Sequence, residues 1–292
     1  MGIVEGWTER GRYIEFLGHE VFVVDVPPRE EGAAATPLLV LHGFPTSSID
    51  FAPVLEALSQ RRRVVSFDFL GFGLSAKPDR RYSLFEQADL VEAVVASAGL
   101  DRVDLLTHDM GDSIGGEVLA RSLDGSLGFE IERRVITNGS IYIDMAVFTD
   151  GQKLLLSLPD ERLADDMGMD TDAMVQGLEV TLAASGVPDP AHLRAAAALV
   201  CRDGGVQLLP RLIRYIEERR EHEGRWTSAI ERHPAPLTIV WGDQDPVAVF
   251  PMAERLAVAA DPVAFHRLEG VGHFPMLEAP ERFASAVLGG LG

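Results

Sequence analysis

The sequence predicts an α/β fold, a mostly parallel, doubly wound sheet with a helical cap inserted between two of its strands. Three observations lead there. Short apolar runs alternate with helical patterns through the first third of the chain, as in a parallel sheet covered on both faces. The alternation then stops between residues 142 and 232, where the pattern is helical and rich in Ala, Leu and Met. It resumes at Leu237 with another apolar run.

Taken in order, Tyr13–Leu17 and His19–Asp25 read as a strand pair turning at Gly18, and Leu38–His42 as a strand ending in a turn signal. Phe51–Ser59 reads as helix, Val64–Asp68 as strand, Leu84–Ala98 as helix and Val103–Thr107 as strand. Ile114–Arg121 follows as helix and Arg134–Asn138 as strand. The helical stretch is punctuated at Pro159, Gly186, Pro188, Pro190, Gly204–Gly205 and Pro210, residues that end or bend helices. Strand Leu237–Trp241, strand Val263–Leu268 and a helix from Pro280 complete the chain. The expected organisation is a core over 1–141, a helical cap over 142–232 and the rest of the core over 233–292. A helical stretch between two strands of one sheet belongs over the strand ends, where sites in such sheets lie.

Composition narrows the function classes. The 292 residues carry 26 Lys and Arg against 45 Asp and Glu, a formal charge of −19. That charge argues against nucleic acid and against an anionic membrane surface as partners. The longest apolar run, Ala195–Cys201, is far short of the roughly 20 residues a membrane helix needs. The polar start around Glu9, Arg10 and Arg12 does not read as a signal peptide. A single cysteine, Cys201, allows no intramolecular disulfide and no cysteine metal cluster, and points to a reducing, cytoplasmic setting. The histidines are scattered and no phosphate-binding glycine loop is present, so no metal or organic cofactor is implied. Oligomeric state is left open.

The decisive segment runs from Val103 through Thr107-His-Asp-Met-Gly-Asp-Ser113 to Gly116, a strand entering a helix through a tight turn. Small residues must flank a nucleophile held in such a turn. Two registers fit: Thr107-x-Asp109-x-Gly111 puts Asp109 at the apex, and Gly111-x-Ser113-x-Gly115 puts Ser113 there. The first leaves a strand of ordinary length, whereas the second draws Asp109 into the sheet without an evident partner. Asp109 is therefore favoured, its other available role being a helix N-cap. Asp245, after strand Leu237–Trp241, is the natural acid to orient a histidine, with Asp243 the weaker choice. Both could equally be turn formers. His273 follows the last strand in a glycine-rich loop. Nucleophile, acid and histidine thus come in that order, each after a strand. The loop His42-Gly-Phe-Pro45 follows the third strand, so Phe44 and Met110 are the expected amide donors to a developing oxyanion.

These motifs resemble the α/β-hydrolase superfamily, and within it the aspartate-nucleophile branch of epoxide hydrolases and haloalkane dehalogenases. His42–Ser48, Asp68–Gly73, Tyr82–Gln87, His108–Asp112, Asn138-Gly139 and the stretch Tyr215 to Trp226 look most like the mesoderm-specific transcript proteins. The resemblance implies that Asp109 attacks an alkyl carbon to form an alkyl-enzyme ester. Water activated by His273 and Asp245 then hydrolyses that ester. Dehalogenases of this branch hold the departing halide with tryptophan or asparagine at places occupied here by Met110 and Phe44. Trp226, beside Gly224 and Arg225, reads as a hinge residue. Epoxide hydrolases use cap tyrosines as acids, which implies Tyr215 and Tyr142 as proton donors. The expectation is an enzyme opening small hydrophobic epoxides, with dehalogenation, or ester hydrolysis at Ser113, as alternatives. Apolar Met145, Phe148, Leu154 and Leu155 fit either a hydrophobic pocket or the cap's own core.

Overall fold

The computed structural model of the chain describes residues 2–167, 169–184 and 188–292. Gly186 lies outside them. Eight strands form one sheet: β1 (Gly11–Phe16), β2 (His19–Val26), β3 (Ala35–Leu41), β4 (Arg62–Phe67), β5 (Arg102–His108), β6 (Glu130–Thr137), β7 (Leu237–Gly242) and β8 (Ala264–Leu268). Their order across the sheet is β1-β2-β4-β3-β5-β6-β7-β8. β1–β2 and β2–β4 pair antiparallel, and every later pair is parallel. The sheet is thus mostly parallel, as its apolar strands require. Leu38 to Leu41 of β3 and all of β7 are buried, which fits strands covered on both faces.

The helices are α1 (Ile3–Glu9), α2 (Leu55–Leu58), α3 (Leu84–Ser97), α4 (Met110–Asp124), α5 (Asp150–Ser157), α6 (Thr171–Glu179), α7 (Pro190–Cys201), α8 (Gly205–Leu212), α9 (Tyr215–Arg232), α10 (Phe250–Ala260), α11 (Pro275–Glu278) and α12 (Pro280–Leu291). Sequence reading overlooks α1, a single short helix that buries Trp7 against the core, its indole N–H donating to Ser48 Oγ at 3.3 Å. Among the described residues, β6 and β7 are separated by helices and turns alone. None of the helices is long and apolar enough to cross a membrane, among the described residues.

Two polar seams fix these inserted helices to the sheet. Buried Glu117 of α4 accepts from the indole N–H of Trp226 at 2.8 Å and from Arg225 Nε at 2.7 Å, both on α9. Trp226 is therefore a packed anchor of the α4–α9 seam, and the hinge expectation is corrected. Arg134 of β6, itself buried, donates to the carbonyls of Ile230, His233 and Ala235, seating the chain where α9 returns to β7. Those carbonyls have no helical partner, so the guanidinium fills the acceptors a helix end leaves open.

Candidate active site

The strand ends carry the polar groups. β5 runs into α4 through Asp109, whose φ of 51° and ψ of −115° lie where side-chain-bearing residues rarely sit. The turn is cramped enough to demand glycine on both sides. A Cβ on Gly111 would stand 2.7 Å from the carbonyl oxygens of Leu41 and His42, and one on Gly43 2.5 Å from Asp109 Cβ. Ser113, by contrast, sits within α4 with ordinary helical neighbours. The first of the two registers is the one the backbone adopts.

Asp109 is buried, and its two oxygens are differently committed. Oδ2 accepts from the Phe44 amide at 2.9 Å, while Oδ1 lies 3.5 Å from His273 Nε2. His273 Nδ1 donates to Asp245 Oδ2 at 2.8 Å. That oxygen also accepts from Asn138 Nδ2 at 2.8 Å, and Oδ1 of Asp245 accepts from the amides of Val247 at 2.7 Å and Ala248 at 3.0 Å. The carboxylate is thereby locked in one orientation. Asp243 serves elsewhere, paired with Arg267 and accepting from the Gly270 amide at 2.8 Å. Met110 opens α4 directly after Asp109, so its N–H is among those that the first turn leaves unspent.

Charge follows from this geometry. Burial alone would raise the Asp109 carboxyl, but the hydrogen bond and charge of His273, with help from the Phe44 amide, outweigh it and hold it at about 2. Burial opposes a charge on His273, yet the Asp245 carboxylate and the contact with Asp109 push its pKa well above the usual imidazole range. Resting His273 is therefore an imidazolium between two carboxylates. Below it, burial holds His108 near about 4 and His42 near about 3, so both rings are neutral. His108 Nε2 donates to the His273 carbonyl at 2.8 Å. His42 Nδ1 donates to the Gly43 carbonyl at 2.8 Å, and its Nε2 accepts from the Phe69 amide at 3.0 Å. The two neutral rings brace the loops that carry Phe44 and His273.

The two tyrosines part company. Tyr215, at the start of α9, is buried with its ring 5.6 Å from that of Phe44, and both burial and the Asp109 charge raise its phenol. Its hydroxyl has no hydrogen-bond partner among the described residues. Tyr142 instead donates to Glu231 Oε1 at 2.8 Å and stacks under the Arg255 guanidinium at 3.9 Å. The structure does not bring Tyr142 to Asp109: a carboxylate 89 residues away satisfies its hydroxyl first.

A cavity with about 610 Å³ of empty space, its mouth included, opens beside His273 and Phe274. Phe44 and Pro45 form its floor, and Leu155 of α5 with Met174, Gly177 and Leu178 of α6 form its wall. Of Met145, Phe148, Leu154 and Leu155, only Leu155 lines it. Leu154 is exposed, and Met145 and Phe148 pack on the core. One residue that the sequence marks only by its place after a strand and within a motif, with no role assigned, also matters here. Asn138, at a positive φ of 45° just after β6, grips Asp245.

A buried carboxylate at a strained strand–helix turn, facing a histidine oriented by a second carboxylate on a parallel sheet, defines an α/β hydrolase. The chain belongs to the alpha/beta hydrolase family, whose model matches residues 38–286. It is 39% identical over 293 residues to the protein LipZ of Mycobacterium tuberculosis, spanning 98% of this chain and 96% of that one. It is 30% identical over 304 residues to the human mesoderm-specific transcript homolog protein, spanning 98% and 87%. In fold it matches a haloalkane dehalogenase DbeA loop variant from Bradyrhizobium elkanii with a TM-score of 0.77, at 19% identity and with 96% of both chains covered.

Proposed function

We propose that this hydrolase opens small hydrophobic epoxides through a covalent ester on Asp109. The observation that carries the reading is the double commitment of Asp109. One of its oxygens is held by the Phe44 amide, and the other faces His273. Asp109 Oδ1 attacks a ring carbon and the C–O bond breaks. The ring oxygen takes the proton of Tyr215, the one unpartnered phenol near the carboxylate. Esterification then removes the Asp109 charge, so His273 loses one of the two carboxylates that kept it protonated. The imidazolium proton passes through solvent to the Tyr215 phenolate left by ring opening, and the neutral imidazole then accepts one from water as the water attacks the ester carbonyl. The Phe44 and Met110 amides hold the oxyanion as it forms. Collapse passes the remaining proton of that water to the departing alkoxide, regenerates the Asp109 carboxylate and releases a diol.

The same geometry disfavours the alternatives. Met110 and Phe44 offer a departing halide no side-chain N–H. Ser113 makes no hydrogen bond with His273 among the described residues, so ester hydrolysis through its hydroxyl lacks an engaged base. The helices between β6 and β7 act in this reading as the cap, and their apolar wall keeps bulk water off the ester.

The test uses His273→Gln, which retains the nucleophile and removes the base. Exposed to an epoxide, this variant is expected to gain the whole epoxide mass on the peptide carrying Asp109 and to release it slowly. An alkyl mass from an alkyl bromide, with none from epoxides, would transfer the assignment to dehalogenation. An acyl mass on Ser113 would overturn it.

A further inference from the structure

Glu278, the last residue of α11, has no part in the chemistry above, yet it gathers three backbone donors from two distant segments. Its Oε2 accepts from the Gly272 amide at 2.9 Å and from the Ala183 amide at 2.9 Å, and its Oε1 accepts from the Phe274 amide at 3.0 Å. Gly272 and Phe274 flank His273, while Ala183 belongs to the turn after α6. The His273 amide itself donates to the Thr181 carbonyl at 3.0 Å. A Cβ on Gly272 would run into the backbone of Leu182 and Ala183, so the two segments touch main chain to main chain. Thr181 also lines the cavity, together with Met174, Gly177 and Leu178 of α6. The loop that carries the imidazole and the wall that meets the substrate are therefore joined at one carboxylate.

We propose that Glu278 is a positioning residue for the hydrolytic half-reaction, clasping the His273 loop to the 181–183 turn so that the imidazole is placed by the same wall that holds the substrate. This rests on the reading of Asp109 as the ester-forming group only for its kinetic consequence. A glutamine cannot replace the carboxylate, because its amide nitrogen would face N–H donors that need an acceptor. The charge matters as well. His273 is faced by Asp109 and Asp245, by the neutral ring of His108 at 5.0 Å and by Glu278, with buried Asp50 and Asp112 also acting on it.

The experiment compares wild type with Glu278→Gln and Glu278→Asp. Adduct formation and hydrolysis are followed separately by intact mass, and amide hydrogen exchange is followed over 178–183 and 270–277. In Glu278→Gln the adduct is expected to form at close to the wild-type rate and to hydrolyse about tenfold more slowly. The pH midpoint of hydrolysis should move down, since one carboxylate facing His273 is gone. Glu278→Asp keeps the charge but is too short for the clasp, so its midpoint should stay while its hydrolysis slows. Exchange should quicken over both segments together in each variant. Quickening over 270–277 alone, unchanged hydrolysis, or equal loss of both half-reactions would overturn the proposal. If neither wild type nor His273→Gln takes up a label, it is the Asp109 reading that fails. The clasp is then decided by exchange, upheld by joint and refuted by separate loosening.

Discussion

The strand ends and the inserted helices treat their polar groups in opposite ways. At the strand ends every oxygen of Asp245 has partners, Asp109 is held by an amide and an imidazole, and even the supporting rings of His42 and His108 are hydrogen-bonded. The cavity wall facing them is mostly apolar, with Leu155, Met174 and Leu178 making no directional demand, and its polar members are Thr149, Gln152 and Thr181. A buried, densely bonded array tolerates little displacement, because each lost partner leaves an unsatisfied polar group. An apolar wall can change shape by a methylene at a time with modest effect. In the proposed reading the chemistry is therefore built into the sheet, and substrate choice into the insertion.

One residue of the insertion breaks that division, and it should give the largest effect. Tyr215 stands on α9 but reaches the strand ends beside Phe44. Replacing it with phenylalanine removes the proposed acid while keeping the ring. Adduct formation from epoxides is expected to fall about 10²-fold, in the range a positioned general acid contributes. Adduct formation from alkyl bromides, whose leaving group needs no proton, should be unchanged. Equal rates with epoxides for Tyr215→Phe and wild type would place the acid elsewhere.

The wall itself is probed at Gly177. A Cβ there meets nothing within 4 Å, so Gly177→Phe should fold and project into the cavity. The expected result is a discrimination of about tenfold in kcat/KM against bulky substrates relative to small ones. Hydrolysis of an adduct already formed should keep its rate. A slower hydrolysis step would mean that the wall and the chemistry are less separable than their side chains imply.

What the sequence discloses follows the same line. Asp109, Asp245 and His273 are legible because parallel strands put their successors at one edge of the sheet, so position after a strand predicts convergence. The cramped turn adds its own signal in Gly43 and Gly111. Tyr142 is misread because nothing local announces its bond to Glu231, which depends on where α9 returns. The role of Asn138, and Glu278 altogether, escape for a related reason. Both act on groups from other segments, and such a role leaves no pattern at the residue's own position. The cavity wall is illegible from composition because Leu154 and Leu155 are chemically identical. Only the orientation of α5 exposes one and turns the other inward.

The smallest effect concerns acid, and it again separates the two regions. His42 and His108 are fully buried and held near about 3 and about 4 by burial, against an unfolded value of about 6.5. As pH falls below about 6.5 the unfolded chain takes up protons that the native rings refuse, so the contribution of these two rings to stability must decline. His273 does not cancel this, because its pKa is raised. Its contribution is complete once the pH is below the unfolded value and stays constant beneath it. Asp109, held at about 2, loses its contribution only below the unfolded carboxyl value of about 3.9. Between about pH 6 and 4.5 each of the two rings should therefore remove about 1.4 kcal/mol per pH unit, with His233, held at about 4, adding to that loss and the buried carboxyls of Asp50, raised to about 8, and Asp112, raised well above its usual value, offsetting it. In His108→Gln, which keeps an amide donor near the His273 carbonyl, the change of stability with pH should lose that one ring's share, about 1.4 kcal/mol per pH unit, in urea titrations. Exchange should loosen first at the sheet's strand ends and not in α5 or α6, which carry no histidine. An unchanged slope would mean that the native loops admit the proton, and that the strand ends are less tightly closed than their hydrogen bonds imply.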